Sequence, residues 1–222
     1  MTLSEFRESL RKELFDPADD EARFSDTDLD HAIDRALTEL SRAVPWTRDA
    51  TLTTSPDSRL VDLSSLADVW SVEEVEWPTG HYPPKLCTFM VLPTSDGAPG
   101  FVFLLVPEAP SGAEPMRVRW GTKHVASDSQ WTAPDAYTGL LTTGAYAHAC
   151  LAYATPQSDN FRYQDGQQGA GVDTSMVSQA WWEKGTAARD RFEKELDALQ
   201  QERTQHVRGS VAWTVEGSEG AR

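Results

Sequence analysis

The chain has 222 residues, enough for one large domain or one domain carrying an insertion. Hydrophobic residues make up 39% and aromatics 9%, with eight Trp among them, so a substantial core is available. A formal net charge of −15 excludes a basic footprint for gripping phosphates or anionic lipid surfaces, and no apolar run approaches the roughly 20 residues of a membrane span.

In chain order, Leu3, Phe6, Leu10 and Leu14 recur at three and four, which predicts a helix over 3–15 with one apolar stripe. Asp16-Pro17 ends it, because the residue before proline is pushed out of the α region. After the acidic loop D-P-A-D-D-E-A-R, Ser25 stands three before Asp28, a capping box with Asp in place of the usual Glu. Leu29, Ile33, Ala36, Leu37, Leu40 and Val44 then continue at helical spacing to Pro45. The two helices are expected to form a hairpin, their stripes facing each other or a third helix.

From Ala50 to Lys123 the period changes. A-T-L-T-T, S-R-L-V-D-L, D-V-W-S-V-E-E-V-E-W, K-L-C-T-F-M-V-L, F-V-F-L-L-V and M-R-V-R-W are strand candidates, separated by P-D-S, P-T-G, S-D-G-A-P-G and A-P-S-G turns. Val118 and Trp120 alternate with Arg117 and Arg119, as in a sheet with one wet face. Helical sequence resumes near Thr132, with Pro134 in the first turn and a face holding Tyr137, Leu140, Leu141, Gly144, Ala145, His148, Leu151 and Ala152. Its small residues, Gly144, Ala145, Ala147 and Ala149, suit close helix packing. Residues 155–173, polar and glycine-rich, predict a long loop. A last helix is expected from about Thr174 to Gln205, burying Trp181, Ala188, Phe192, Leu196 and Leu199, with Gly185 costing about 1 kcal/mol relative to alanine. Beyond it, Val207, Gly209, Val211, Trp213 and Val215 alternate with polar residues, which predicts an extended arm able to add to a sheet of this chain or of a neighbour, with plain disorder the alternative.

The sequence carries few signals of chemistry. The D-x-D-x-D of Asp26, Asp28 and Asp30 lacks the glycine and glutamate of a calcium loop, and reads as helix-start carboxylates favoured by the dipole. The cluster Asp16, Asp19, Asp20 and Glu21 offers at most loose cation binding. His31, His81, His124, His148 and His206 show no metal spacing, and His148 reads as a packing residue on an apolar face. G-Q-Q-G-A-G at 166–171 follows no strand and does not predict a dinucleotide site; there is no P-loop and no G-x-S-x-G. Glu73, Glu74 and Glu76 read as a solvated strand face; a glycosidase pair needs a second carboxylate opposite, and nothing locates one. Cys87 and Cys150, 63 positions apart, read as reduced thiols, a disulfide staying open. The acidic N-terminus is unlike a signal peptide.

The opening T-L-S-E-F-R-E-S-L-R-K-E-L-F-D, followed by F-S-D-T-D-L-D-H-A-I-D-R-A-L-T-E-L, resembles the start of head-to-tail adaptor (connector) proteins of tailed bacteriophages. M-R-V-R-W-G-T-K-H-V running into W-T-A-P-D-A-Y-T-G-L-L, and W-W-E-K-G-T-A-A-R-D-R-F-E-K-E-L near the end, resemble later parts of the same proteins, so the likeness covers roughly 2–200. It implies a helical bundle with a β-rich insertion between the second and third helices. The expected fold is therefore α+β: about four helices over 1–49 and 128–205, an antiparallel β-rich insertion over 50–127, and an extended C-terminal arm over 206–222.

The resemblance also implies a structural virion protein without catalytic residues, cofactors or membrane contact. Its partners are a portal protein, a stopper or tail protein, and further copies of itself in a ring of about twelve. The expected location is the neck of the virion, assembled in the host cytoplasm, with double-stranded DNA passing through unbound. Portal docking would fall to Trp181, Trp182, Phe192, Leu196, Val207, Val211, Trp213 and Val215. Acidic channel-lining candidates are Asp16, Asp19, Asp20, Glu21, Glu73, Glu74 and Glu76, since acidic walls repel phosphates. Another neck or tail-completion protein is the alternative within virion assembly; an acidic intracellular α+β enzyme, directed at carbohydrate, is the alternative from another class.

Overall fold

The computed structural model describes residues 1–18, 22–95, 97–164 and 175–216, and their side chains except at 155–164, 175–177 and 204–216. The chain divides into two compact units, Met1–Val44 with His124–Arg222, and Pro45–Lys123. The architecture is α+β, with four α-helices and two antiparallel sheets among the described residues.

In the first unit α1 spans Leu3–Leu14 and α2 spans Asp26–Ala43. Each begins with a reciprocal capping box. The Thr2 hydroxyl accepts from Glu5 N–H at 3.2 Å while the Glu5 carboxylate accepts from Thr2 N–H at 2.7 Å. Ser25 and Asp28 do the same, at 3.1 and 3.2 Å, so aspartate serves as well as glutamate there. The chain leaves α1 through Phe15 in the left-handed region, φ 51°, where its N–H closes onto the last turn before Asp16-Pro17. A short 3₁₀ turn, Asp135–Tyr137, leads into α3, Thr138–Gln164, and α4 follows over Ser175–Glu216.

One core joins the four helices: Phe6, Leu10 and Leu14 of α1, Leu29, Ile33, Leu37 and Leu40 of α2, Leu141, Ala145 and Ala149 of α3, and Phe192 of α4. Each large side chain removed from water contributes about 1.5–3 kcal/mol. The small residues of α3 let α4 come close. A Cβ on Gly144 would lie 2.6 Å from the Phe192 ring, and one on Gly185 would lie 2.8 Å from Leu151. Gly185 is thus explained by packing, which overrides its poor helix propensity.

Two expectations fail here. The loop predicted over 155–173 begins later, because α3 runs on to Gln164. Its glycines all lie from 166 onward, and Pro156 alone, worth about 3 kcal/mol against a helix interior, does not end an established helix. The rest of that segment, 165–173, lies outside the described residues. The extended arm fails as well: the backbone over Val207–Val215 is helical, as the final turns of α4. Alternation signals a strand only where another strand supplies hydrogen bonds. A helix already nucleated gains one internal bond per added residue. Residues 217–222 lie outside the described residues.

The second unit holds all six expected strands. β1 (Trp46–Thr53), β6 (Pro115–Thr122) and β3 (Ser71–Glu76) form one sheet in the order β1-β6-β3. β2 (Leu60–Asp62), β5 (Pro99–Leu104) and β4 (Phe89–Pro93) form the other, in the order β2-β5-β4. β1 and β6 pair in register from Trp46↔Thr122 to Thr53↔Pro115, and β3 joins β6 with a bulge between Val72 and Glu74. Val61, Val75, Val102, Leu104, Met116 and Val118 bring the two sheets onto one core. Val118 and Trp120 are buried while Arg117 and Arg119 stay at the surface, as the alternation predicts.

Candidate functional site

Two regions of the helical unit gather polar and aromatic side chains. The first is the aromatic corner around Trp181. This half-buried indole meets Tyr153 with ring centroids 5.3 Å apart and Phe24 at 5.9 Å, both edge-on, and Phe24 meets Tyr153 at 5.3 Å. The Arg23 guanidinium and the Lys184 ammonium lie over the Trp181 ring at 5.9 and 5.6 Å. Next to it in sequence, Trp182 is 55% exposed.

A cleft of about 400 Å³ opens beside this corner, between α2 with the segment preceding it and α3. Phe24, Ala32, Ala149 and Tyr153 make its apolar wall, and Arg23, His31 and Arg35 its exposed basic rim. His148 stands buried at one end, within 3.2 Å of Glu39 Oε1 and 3.1 Å of Arg189 Nη1, which itself donates to Glu39 at 3.0 Å. Burial, helped by Arg189 and Arg35, holds the His148 imidazole below its usual range against the pull of Glu39. The expected packing role of His148 is borne out, with an ion-paired neighbourhood that the sequence pattern did not reveal.

The other polar focus is internal. Arg11, 7% exposed, donates to Asp16 Oδ2 at 3.0 Å, to the Phe24 carbonyl at 3.0 Å and to Asp26 Oδ1 at 2.7 Å. Asp16 accepts in turn from the Arg23 and Phe24 amides at 2.7 and 3.2 Å. This cluster ties the end of α1 to the start of α2. Arg7 adds a fork to Asp30, at 2.8 and 2.9 Å. Arg7 and Arg11 were legible only as basic residues four apart beside an apolar stripe.

Among the proposed docking residues, Trp182 is at the surface and Trp181 half-exposed, but Phe192 and Leu196 are not available. Phe192 is fully buried against Gly144, and Leu196 is 9% exposed in the same core. Their i, i+4 spacing is that of a core stripe, and Phe192 within it lies against Gly144 of α3. The side chains of Val207, Val211, Trp213 and Val215 lie outside the described residues. Among the acidic candidates Asp16 is corrected: at 2% exposure, with both oxygens engaged, it lines no channel. Asp19, Asp20 and Glu21 lie outside the described residues. Glu74 is neutralised by Arg119 at 2.6 Å, Glu73 accepts from the Ser71 hydroxyl, and Glu76 stands half-buried opposite Arg117.

Both cysteines are free thiols. Burial pushes Cys150 up to about 11 and Cys87 upward too, which leaves little thiolate at neutral pH. Among the described residues no group of His, Cys, Asp or Glu is arranged to hold a metal ion, and no helix is long and apolar enough to cross a membrane.

No family model matches the chain, and no curated protein matches it. Among solved structures, a chain from the neck of an empty GTA particle computed with C6 symmetry is similar at TM-score 0.30 and 14% identity, covering 82% of this chain and 88% of that one. A chain from the neck of the native GTA particle computed with C12 symmetry is similar at TM-score 0.27 and 15% identity, covering 81% and 86%. A third, from the virion of the native gene transfer agent (GTA) particle, gives 0.25 and 16%, covering 82% and 88%.

Proposed function

We propose that this chain is a non-enzymatic structural protein of a phage-type neck: a head-to-tail adaptor that forms a ring beneath a portal and passes the DNA channel on to a stopper or tail protein. The observation that carries this reading is the order of parts. Two short capped helices, a six-stranded insertion and two long helices follow one another, and the sequence resemblance to such adaptors runs through the same order from residue 2 to about 200. Exposed Trp182 and the last turns of α4, which carry Val207, Val211, Trp213 and Val215, are the portal-facing surface in this reading. The net charge of −15 suits a conduit, since a wall of like sign keeps DNA from binding as it slides.

Mixing the full chain with a portal from a tailed phage whose neck lacks its adaptor, followed by electron microscopy, tests this directly. Closed rings on the portal face are expected, and their loss when residues 206–222 are deleted would assign attachment to the end of α4. Portals left bare at saturating protein would refute the adaptor reading.

A further inference from the structure

The cleft between α2 and α3 is out of character with the rest of the molecule. The chain carries 35 acidic against 20 basic residues, yet the rim of this cleft presents Arg23, Arg35 and His31. Asp28, the acid beside them, is already engaged by Ser25 at the head of α2, at 2.6 and 3.2 Å. Neither arginine has an ion-pair partner among the described residues, as is also true of Arg42, Arg48 and Arg59, and the Arg23 guanidinium lies over the Trp181 ring at 5.9 Å, so both cleft arginines keep their charge unpaired. Behind the rim is an apolar wall of Phe24, Ala149 and Tyr153, within a volume of about 400 Å³. That is room for one or two side chains, wider than a bare ion needs.

From this we infer that the cleft is a receptor for an acidic side chain of a second copy of the same chain. Arg23 and Arg35 flank the entering carboxylate, and the aromatic wall covers its aliphatic stem. A second copy is the occupant that charge favours, because an identical neighbour offers a surface dominated by carboxylates to the site where this one is basic. A cleft on one copy and an acidic surface on the next make a head-to-tail contact, the kind that closes into rings. The inference rests on the ring-forming reading above and gives it a specific seam.

Sedimentation of the full chain over a concentration series, at low and at high salt, tests the seam without any portal. Self-association is expected at low salt and should weaken as salt rises. R35E and R23E, both at exposed positions, should each weaken it at least tenfold while leaving the far-UV circular dichroism spectrum unchanged. Association of R35E and R23E as tight as that of the natural chain would overturn the proposal, as would a monomer at every concentration. Titration with inorganic phosphate supplies the other arm: phosphate that binds at the cleft without shifting self-association would make it a small-anion site and would also overturn it. Bare portals with intact self-association would instead sink the adaptor reading alone.

Discussion

Arg11 and Asp16 form the most consequential pair in the chain, because each is buried and each also satisfies backbone groups of the α1–α2 connection. Removing Asp16 strands the Arg23 and Phe24 amides and leaves Arg11 only the exposed Asp26 as an ion-pair partner. Asp16→Ala is therefore expected to cost about 2–4 kcal/mol, read as a fall in the denaturant midpoint. A loss below about 1 kcal/mol would mean that water reaches the cluster. His124 is the second such residue. Its amide donates to Ser41 Oγ at 2.9 Å, and its ring bridges the Val44 carbonyl at 2.9 Å and Thr132 Oγ1 at 3.2 Å. Burial holds its imidazole below the ordinary value near 6.5, and His148 is held down in the same way. Below that pH the unfolded chain binds more protons than the folded one, so stability rises with pH through this window and drops on acidification. Melting temperatures recorded between pH 5 and 7.5 should show that slope, and His124→Gln should flatten it.

At the level of elements, the packing of α3 on α4 sets how much change the helices accept. Phe192 fills the space over Gly144, and a fully buried ring has nowhere to retreat. Gly144→Ala should thus destabilise by about 1–3 kcal/mol despite alanine's better helix propensity, measured by urea unfolding. The small-residue face of α3 and the burial of Phe192 and Leu196 on α4 were both readable in the sequence; that Phe192 is the residue seated on Gly144 was not. A stripe at helical spacing looks the same whether it meets a neighbouring helix or another protein. The end of α4 gives a separate test. Ending the chain after Arg203 should lower the helical ellipticity per molecule, whereas removing an extended arm would leave that signal unchanged.

For the molecule as a whole, the helical unit is assembled from two stretches of chain, and the sheet unit enters between them. Val44 and His124, the residues at the two cut ends, are themselves hydrogen-bonded at 2.9 Å. An insertion whose ends meet imposes little on its host, since closing the gap needs only a short turn. Replacing residues 46–122 with a short Gly-Ser linker is accordingly expected to leave a helical unit that unfolds cooperatively, by circular dichroism. A noncooperative melt would mean that the helices depend on the sheets to fold.

What the sequence determined by itself is everything carried by local rules. Helix starts at Ser25, the stop at Asp16-Pro17, the six strands and the wet face of Arg117 and Arg119 follow from periodicity, caps and turn residues, each of which acts over a few positions. Tertiary structure alone decided which apolar stripes meet each other, which charges are buried, and where Arg23 and Arg35 come together with Phe24, Tyr153 and Ala149. Residues 23 and 149 are far apart in the chain, and only the folded backbone brings them to one cleft. The same holds for Asp16, which looks like one more surface acid until Arg11 and the two amides close around it. A charge reveals its role through its partners, and its partners are chosen by the fold.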